Sequence, residues 1–210
     1  MDNKNVHEEK CCVVTCDLPL DETYWNNQYD GNTTGWDLGE VSPPLKAYID
    51  QLANKNLRIL IPGCGNAYEA EYLLQAGFTD VTVIDIAPTL VAQLQQKFAT
   101  DTNIKTILGD FFKHQGEYDL ILEQTFFCAI NPQLRKDYVT KMNELLAING
   151  KLVGILFNRE FEQQGPPFGG FKCQYETMFE KDFNFNTFEL CNNSFVKRQG
   201  TELFINLSKK

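Results

Sequence analysis

The stretch that decides the fold is Leu57-Arg-Ile-Leu-Ile-Pro-Gly-Cys-Gly-Asn-Ala-Tyr68, which is followed by Val81-Thr-Val-Ile-Asp85. An apolar run ends in a glycine turn, a helical pattern begins directly after the turn, and a second apolar run ends in a carboxylate. Gly63 and Asp85 lie 22 positions apart. In an open parallel sheet this spacing places the turn and the acid at the carboxyl ends of neighbouring strands, where a ribose-bearing cofactor can be held.

Strand and helix patterns alternate along most of the remaining chain. Short runs that are apolar on both faces predict parallel strands, and the segments between them predict helices. The sequence therefore predicts an α/β, Rossmann-like fold, with a mainly parallel seven-stranded sheet and helices on both faces. We expect an N-terminal arm over residues 1–20 and a single domain over residues 21–210. The predicted strands cover residues 57–61, 81–84, 104–108, 118–122, 151–157, 187–190 and 202–207.

Polar residues mark two of the predicted helix starts. Asp21 precedes a short helical pattern and is a favoured N-cap residue. Asn66 precedes a longer pattern over residues 67–76, which Gly77 ends. We expect both side chains to cap their helices.

Composition and charge exclude several classes of protein. The net charge of −9 would repel phosphate backbones, so we expect no nucleic-acid partner. The N-terminus has no apolar signal-peptide core, and no run of about 18 apolar residues is present, so we expect no membrane segment. Seven scattered cysteines suit free thiols in the reducing cytoplasm. Cys11, Cys12 and Cys16 lack the paired spacing of a zinc site, so we expect no metal.

The glycine turn also narrows the cofactor class. A dinucleotide site would have a third glycine at position 68, where Tyr68 stands instead. No G-x4-G-K-[ST] phosphate loop is present, which disfavours ATP. A cofactor with a ribose and an adenine but no phosphate fits better, and S-adenosylmethionine is such a cofactor. Asp85 would accept hydrogen bonds from the ribose hydroxyls, while Gly63 and Gly65 would let the backbone approach the methionine part.

Aromatic residues cluster ahead of this stretch. Trp25 and Tyr29 stand on one face of the short helix, because they are four positions apart. Trp36 lies in the glycine-rich loop that follows. One interpretation is that these rings fill the core, as large aromatic side chains usually do. The other is a lid whose aromatic faces cover a cationic ligand.

The residues quoted above, with several later segments, resemble the thiopurine S-methyltransferase family, and within it the halide, thiocyanate and thiol methyltransferases of plants and bacteria. The resemblance runs from about Trp25 to the C-terminus. Its most specific marks are a Phe-Phe-Cys-Ala-Ile run and a later Gly-Pro-Pro-aromatic loop. The matching segments are Trp25-x3-Tyr29, Thr34-Gly-Trp-Asp-Leu-Gly39, Pro62-Gly-Cys-Gly65, Val83-Ile-Asp85, Gly109-Asp-Phe111, Thr125-Phe-Phe-Cys-Ala-Ile-Asn-Pro132 with Arg135, and Gly165-Pro-Pro-Phe168.

The resemblance implies a class I S-adenosylmethionine-dependent methyltransferase that uses S-adenosyl-L-methionine as its cofactor. It implies that aromatic residues line the cofactor and its lid, that two acids hold the ribose and adenine, and that a further acid lies near the methionine end. The cofactor-binding residues expected in this way are Trp25, Tyr29, Trp36, Gly63, Gly65, Asp85, Ile86, Asp110, Phe111 and Glu123. Arg135 matches an arginine near the substrate and is the catalytic candidate. The segment Asn158-Arg-Glu-Phe-Glu162 matches neither branch, which leaves the acceptor open.

The implied reaction is in-line transfer of a sulfonium methyl group to a small soft nucleophile, namely a thiol, thiocyanate, a halide or a thiopurine. A neutral thiol must ionise first, and nearby positive charge favours its ionisation. Arg135 supplies that charge in one interpretation and is a solvated helix residue in the other. Arg159 is a second candidate with the same alternative. Cys128 has no base placed for it, so core or cavity lining is the better interpretation.

Two rival hypotheses remain beside the enzyme. A non-catalytic S-adenosylmethionine-binding module or sensor is supported only by the unmatched segment 158–162. An NAD-dependent oxidoreductase is disfavoured by Tyr68. For the enzyme, we expect a cytoplasmic monomer whose partner is a small-molecule methyl acceptor.

Overall fold

The computed structural model describes residues 16–210, in which helices and strands alternate as predicted. Most of the expected N-terminal arm, including Cys11 and Cys12, lies outside the described residues. The helices are α1 (Glu22–Asp30), α2 (Pro43–Ile49), α3 (Tyr68–Gln75), α4 (Pro88–Lys97), α5 (Arg135–Leu145) and α6 (Lys172–Phe179). The strands are β1 (Ile59–Pro62), β2 (Val81–Asp85), β3 (Ile104–Leu108), β4 (Tyr118–Gln124), β5 (Leu146–Phe157), β6 (Phe183–Leu190) and β7 (Glu202–Lys209).

The seven strands form one sheet in the order β3-β2-β1-β4-β5-β7-β6. Strands β1 to β5 pair in parallel, whereas β7 runs antiparallel to both of its neighbours, β5 and β6. The predicted α/β fold with a mainly parallel seven-stranded sheet is therefore confirmed. The chain places β2 and then β3 on one side of β1, and β4 with the later strands on the other side. Such a reversal opens a crevice at the carboxyl ends of the two strands.

Helices cover both faces of the sheet because successive strand residues point to opposite faces. Leu60, Ile121 and Leu152 join an apolar cluster with residues of α5 and α6. Ile59 and Ile61 join a second cluster with residues of α2, α3 and α4. All five side chains are at most 2% exposed. The two clusters fix the sheet beneath the loops at its carboxyl edge.

The two predicted helix caps have different outcomes. Asp21 caps α1 as predicted, since its carboxylate accepts a hydrogen bond from a first-turn N–H at 2.9 Å. The prediction for Asn66 is wrong, because α3 begins at Tyr68 and Ala67 before it has a left-handed backbone with φ of +57°. The Asn66 amide instead donates a hydrogen bond to Asp37. It thereby links the glycine turn to the loop that carries Trp36.

Within residues 16–210, no helix is long and apolar enough to cross a bilayer. In the same part of the chain, no three His, Cys, Asp or Glu side chains are grouped closely enough to hold a metal ion. The cysteines described there are all free thiols.

Candidate active site

A cavity of about 1080 Å³ opens at the carboxyl edge of the sheet, above β1, β2 and β4. Its walls come from residues 18–40, the glycine turn after β1, the ends of β2 and β3, and the segments that follow β4, β5 and β6. The cavity lies where the strand order reverses, as expected for a ligand site in an open α/β sheet. Pockets for drug-sized ligands measure about 300–1,000 Å³, so this one has room for a cofactor and a small second substrate.

The turn at Gly63 and Gly65 brings bare backbone to the cavity wall. Both residues are left-handed, with φ of +56° and +50°, a conformation that glycine adopts without strain. A Cβ atom on Gly63 would lie 2.3 Å from a ring carbon of Phe126, so a side chain does not fit there. The Phe126 ring therefore packs directly against the main chain at Gly63, and both glycines lie on the cavity wall.

The Asp85 carboxylate is held in one orientation at the end of β2. Its two oxygens accept hydrogen bonds from the N–H groups of Gly65 at 3.2 Å and Ala87 at 3.0 Å. The residue is 8% exposed, and burial raises the pKa of its carboxyl above the ordinary value. Each carboxylate oxygen can accept a second hydrogen bond. With Ile86 beside it on the wall, Asp85 is placed to bind a pair of ligand hydroxyls.

Asp110 and Phe111 follow β3 and lie on the same wall. The Asp110 carboxylate accepts a hydrogen bond from the Phe112 N–H at 2.9 Å and caps a short 3-10 turn. The Phe111 ring meets the Phe126 ring edge-to-face, with centroids 5.1 Å apart. A flat apolar ligand group with polar edges fits between such a ring and such an acid.

The aromatic residues of α1 and the following loop come together over the cavity. The Trp36 ring meets Trp25 and Tyr29 edge-to-face, at centroid distances of 5.6 Å and 6.0 Å. All three residues line the cavity and are half-buried. Burial and the nearby Asp85 raise the pKa of the Tyr29 hydroxyl, which therefore stays neutral. The sequence left open whether these rings fill the core or form a lid over a ligand. Their place on the cavity wall favours the lid.

The structure does not bring Glu123 to the cavity wall. Its side chain is fully buried, and Oε1 accepts hydrogen bonds from the N–H groups of Phe126 at 2.7 Å and Phe127 at 2.8 Å. Burial raises the pKa of Glu123 to about 8. Its Oε2 has no hydrogen-bond partner among residues 16–210. Glu123 thus orients the segment after β4 from behind.

The next two residues, Gln124 and Thr125, do line the cavity. Thr125 begins one of the segments that match the family, whereas no sequence pattern marks Gln124. Gln124 Oε1 is buried without a hydrogen-bond partner in the described part of the chain. Thr125 has a φ of +62°, which is rare for a β-branched residue, and it turns the chain so that Phe126 covers Gly63. Unpartnered buried acceptors and strained backbone are features that ligand sites often show.

Arg135, the expected catalytic residue, lies behind the wall rather than on it. Its guanidinium donates hydrogen bonds to the carbonyl oxygens of Phe168 and Gly169, both at 3.0 Å. The same group lies over the rings of Phe127 and Tyr175, at 4.6 Å and 5.7 Å from their centroids. Arg135 is 8% exposed and so is not a solvated helix residue. This geometry suits a group that holds the loop after β5 in place.

Two other arginines reach the cavity wall, Arg159 and Arg198. Arg159 was the second candidate from the sequence. Arg198 was not predicted, because it lies in an irregular connection between β6 and β7 that carries no periodicity or motif. Its guanidinium donates to the Trp36 carbonyl at 2.6 Å and pairs with Glu202 at 3.4 Å. Arg198 therefore joins the aromatic lid to the start of β7.

The residues of the wall fit S-adenosylmethionine. Its ribose requires a fixed carboxylate at the end of the second strand, which Asp85 provides. Its cationic groups require acceptors and aromatic faces, and Gln124 Oε1, Asp37 and the lid supply them. The glycine turn removes the side chains that would block a close approach.

Solved methyltransferases share this fold. The 1,6-didemethyltoxoflavin-N1-methyltransferase of Burkholderia thailandensis, with S-adenosylhomocysteine bound, superposes with a TM-score of 0.74 over 90% of this chain and 87% of that one, at 16% identity. The magnesium protoporphyrin IX methyltransferase of Synechocystis PCC 6803, also with S-adenosylhomocysteine, gives a TM-score of 0.71 over 90% and 98%, at 15% identity. At such identities the likeness shows the fold alone.

Relatives by sequence are more specific. Probable thiol methyltransferase 2 of Arabidopsis thaliana is 31% identical over 157 residues, 72% of this chain and 69% of that protein. Thiocyanate methyltransferase 1 of Brassica oleracea is 25% identical over 75% of this chain and 71% of its own length. Thiopurine S-methyltransferase of Acinetobacter baylyi is 26% identical over 71% and 79%. The thiopurine S-methyltransferase family model matches residues 20–206. The chain is thus an S-adenosylmethionine-dependent methyltransferase and belongs to the thiopurine S-methyltransferase family.

Proposed function

We propose that this enzyme methylates a small soft nucleophile, namely a thiol, thiocyanate, a halide or a thiopurine, by in-line displacement. The observation that carries the proposal is a single cavity with two chemically different ends. One end has the glycine turn and Asp85, and the other has aromatic side chains with Arg159 and Arg198. Relatives named as thiol, thiocyanate and thiopurine methyltransferases support the same acceptor class.

For the cofactor end we assign roles to the residues of the wall. Asp85 binds the ribose hydroxyls, and Asp110 with Phe111 binds the adenine. Gly63 and Gly65 leave space for the methionine part, with Gln124 Oε1 as an acceptor for its ammonium group. The aromatic lid of Trp25, Tyr29 and Trp36 covers the sulfonium, since aromatic faces attract cations. Ile86 lines the cavity beside the ribose, and Glu123 acts indirectly by orienting Phe126.

At the acceptor end, side chains of this chain exclude water and supply positive charge. S-adenosylmethionine, when bound, presents an activated methyl group whose leaving group is a neutral thioether. Phe126 and the lid keep the nucleophile dry, which favours a transition state in which opposite charges disappear. Arg198 raises the local positive potential and so favours the thiolate form of a thiol acceptor. Arg135 takes the role of a positioning residue, because its guanidinium faces the loop carbonyls.

Domain organisation, partners, location and oligomeric state are proposed mainly from charge and cysteine content. We assign a single methyltransferase domain to residues 21–210, preceded by an arm over residues 1–20. The net charge of −9 supports an enzyme without a nucleic-acid partner. Free thiols support a cytoplasmic location. We propose a monomer, and light scattering that gives more than one chain per particle would contradict it.

Two measurements test the function. Calorimetric titration with S-adenosylmethionine is expected to saturate below millimolar cofactor, and the loaded enzyme is expected to release S-adenosylhomocysteine with at least one of thiocyanate, iodide, sulfide, thiophenol and a thiopurine. Absence of binding would overturn the cofactor site. Binding without turnover on the whole panel would overturn the enzyme and favour the non-catalytic binding module.

A substitution at Asp85 tests the ribose assignment within that experiment. Asp85→Ala is expected to weaken the binding of S-adenosylmethionine by a few kcal/mol, because hydrogen bonds to a charged acceptor are lost. Asp80→Ala is the matched control, since Asp80 is an exposed acid that directly precedes β2, at the end of the strand opposite Asp85. Asp85→Asn provides a second variant of the same size if the alanine variant unfolds. Unchanged affinity in a folded Asp85 variant would place the ribose elsewhere.

A further inference from the structure

The segment 158–162, which matches neither branch of the family, is fixed against the loop that closes the acceptor end. The Arg159 carbonyl accepts a hydrogen bond from the Gly170 N–H at 2.9 Å, and the two residues form an isolated antiparallel bridge. A Cβ atom on Gly169 would lie 1.9 Å from the Arg159 carbonyl oxygen, so the backbones touch. The Arg159 side chain projects from this fixed backbone onto the cavity wall.

Two arginine side chains lie on either side of a pair of phenylalanine rings on that wall. The Arg159 guanidinium lies over the Phe161 ring, 4.9 Å from its centroid. The Phe161 ring meets the Phe157 ring edge-to-face at 5.0 Å, and the Arg198 guanidinium lies over Phe157 at 5.3 Å. All four side chains line the cavity. An apolar surface is thus flanked by two guanidinium groups.

The charges on this part of the wall are unbalanced. The wall residues that follow β5 in the chain include three cations, Arg159, Lys197 and Arg198, and no acid. Arg198 pairs with Glu202, whereas Arg159 forms no salt bridge within residues 16–210 and its Nε donates only to the Glu160 carbonyl oxygen, at 3.2 Å. Its neighbours Glu160 and Glu162 are exposed and do not line the cavity. A guanidinium without a carboxylate partner, on the wall of an acidic protein, is a binding group for an anion.

We propose that Arg159 binds a carboxylate on the methyl acceptor, and that the acceptor is an organic thiol with an aromatic or apolar body. This rests on the proposed function and narrows its acceptor class. Phe157 and Phe161 contact the body, and Arg159 forms a two-point hydrogen bond with the carboxylate. The thiol proton leaves to solvent, and a sulfur lone pair of the thiolate forms the new S–CH3 bond. The sulfonium C–S bond breaks with its electron pair kept by the departing thioether.

The test compares two acceptors of nearly equal shape, 4-mercaptobenzoate and 4-mercaptobenzamide. The wild-type enzyme is expected to show a higher kcat/KM for the carboxylate. Arg159→Gln is expected to lower the ratio of the two kcat/KM values by about 10- to 100-fold, mainly through the KM of the carboxylate, because a charge-assisted hydrogen bond is lost. The kcat/KM ratio of Arg159→Lys should lie between those of the wild type and Arg159→Gln, since lysine keeps the charge but lacks the planar fork of donors.

Lys181→Gln is the control for loss of one positive charge. Lys181 is exposed and precedes β6, whose first residue pairs with the end of β7 at the edge of the sheet opposite the cavity. This variant should keep the wild-type ratio. Equal wild-type activity on both acceptors, or an unchanged ratio in Arg159→Gln, would overturn the carboxylate site while the methyltransferase stands. Loss of all turnover with both thiols and with the wider panel would instead contradict the proposed function.

Discussion

The guanidinium of Arg135 ties together two chain segments that form the acceptor end of the cavity. It lies over Phe127, which follows β4, and it binds the carbonyls of Phe168 and Gly169, which follow β5. The Phe168 N–H also donates to the Cys128 carbonyl at 2.7 Å, so the two segments are in direct contact. The position of the loop therefore depends on the fork geometry of the arginine as well as on its charge.

Two replacements of Arg135 distinguish the contribution of its hydrogen-bond geometry to stability from the contribution of its charge. Arg135→Met is expected to lower the free energy of unfolding by about 3 kcal/mol, because the two hydrogen bonds that the charged guanidinium donates to backbone carbonyls are lost. Arg135→Lys should recover only part of this loss, since lysine cannot donate to both carbonyls in the same plane. Urea unfolding measures the stability, and kcat/KM should fall equally for iodide and for a thiol. A fall restricted to the thiol, with a shifted pH profile, would instead indicate that Arg135 ionises the acceptor.

Glu123 predicts a pH dependence of stability. Its pKa is raised to about 8 in the fold by burial, whereas the unfolded chain has the ordinary value of 4.5. Between these values the folded state binds a proton that the unfolded state does not, so stability falls as the pH rises from about 4.5 to about 8. Each unit of difference is worth about 1.4 kcal/mol, so the effect amounts to several kcal/mol.

Glu123→Gln removes this effect with little change of shape. The glutamine oxygen can accept the N–H groups of Phe126 and Phe127 that Glu123 Oε1 accepts. Urea unfolding from pH 5 to 8 should show a flatter profile for the variant than for the wild type. Asp85 and Glu69 also have raised pKa values, but they are common to both proteins and cancel in the difference. The charge of Glu202 contributes to the raised pKa of Glu123, so its effect belongs to the measured difference. Parallel profiles would contradict the buried protonated state of Glu123.

At the level of the elements, the packing of β5 against β4 fixes the position of the C-terminal end of β4, which carries Glu123 and Gln124. Gly154 of β5 lies opposite Glu123, and a Cβ atom at Gly154 would lie 2.5 Å from Cβ and 2.7 Å from the carbonyl oxygen of Glu123. Gly154→Ala is therefore expected to lower the free energy of unfolding by about 1–3 kcal/mol through overpacking. Gly109→Ala is the control, since its nearest neighbours would be 3.8 Å away. Urea unfolding measures both variants, and equal free energies of unfolding would contradict this close packing.

Of the two edge strands of the sheet, the bounds of β3 could be predicted from the sequence and those of β6 could not. The half-exposed β3 has its predicted bounds and the buried β2 is longer by one residue, whereas the buried β5 begins at Leu146, five residues before its predicted start. β6 begins at Phe183 rather than near residue 187, because the polar Asn184 and Asn186 interrupt the apolar run in its first half. Its pairing with β7 decides its length, and that partner is distant in sequence.

The same distinction applies to the candidate site. The placement of Gly63 and Asp85 follows from a local pattern of strand, turn and strand, so it could be predicted. The directions of Arg135 and Glu123 could not, because they depend on carbonyls and N–H groups that the fold brings together. Arg198 reaches the wall only because β7 runs antiparallel between β5 and β6, and nothing local to the residue indicates this.

At the scale of the whole molecule, the cavity joins parts of the chain from residue 18 to residue 201. The lid comes from the start of the described chain, the cofactor end from the tips of β1 to β3, and the acceptor end from the connections around β5 and β7. A ligand that contacts all of these parts binds only the folded state. Its binding free energy is therefore added to the stability of the whole domain.

S-adenosylhomocysteine should accordingly raise the melting temperature of the whole protein in one cooperative transition. A concentration of 100 times Kd adds about 2.7 kcal/mol, and for a domain of this size each kcal/mol shifts Tm by about 2–4 °C, so a rise of about 5–11 °C is expected. Differential scanning calorimetry measures the shift. It should disappear in a folded Asp85→Asn variant and persist in Asp80→Ala, because only the first alters the cavity. A shift that survives Asp85→Asn at the same ligand concentration would mean that the ligand is held without the carboxylate at the tip of β2.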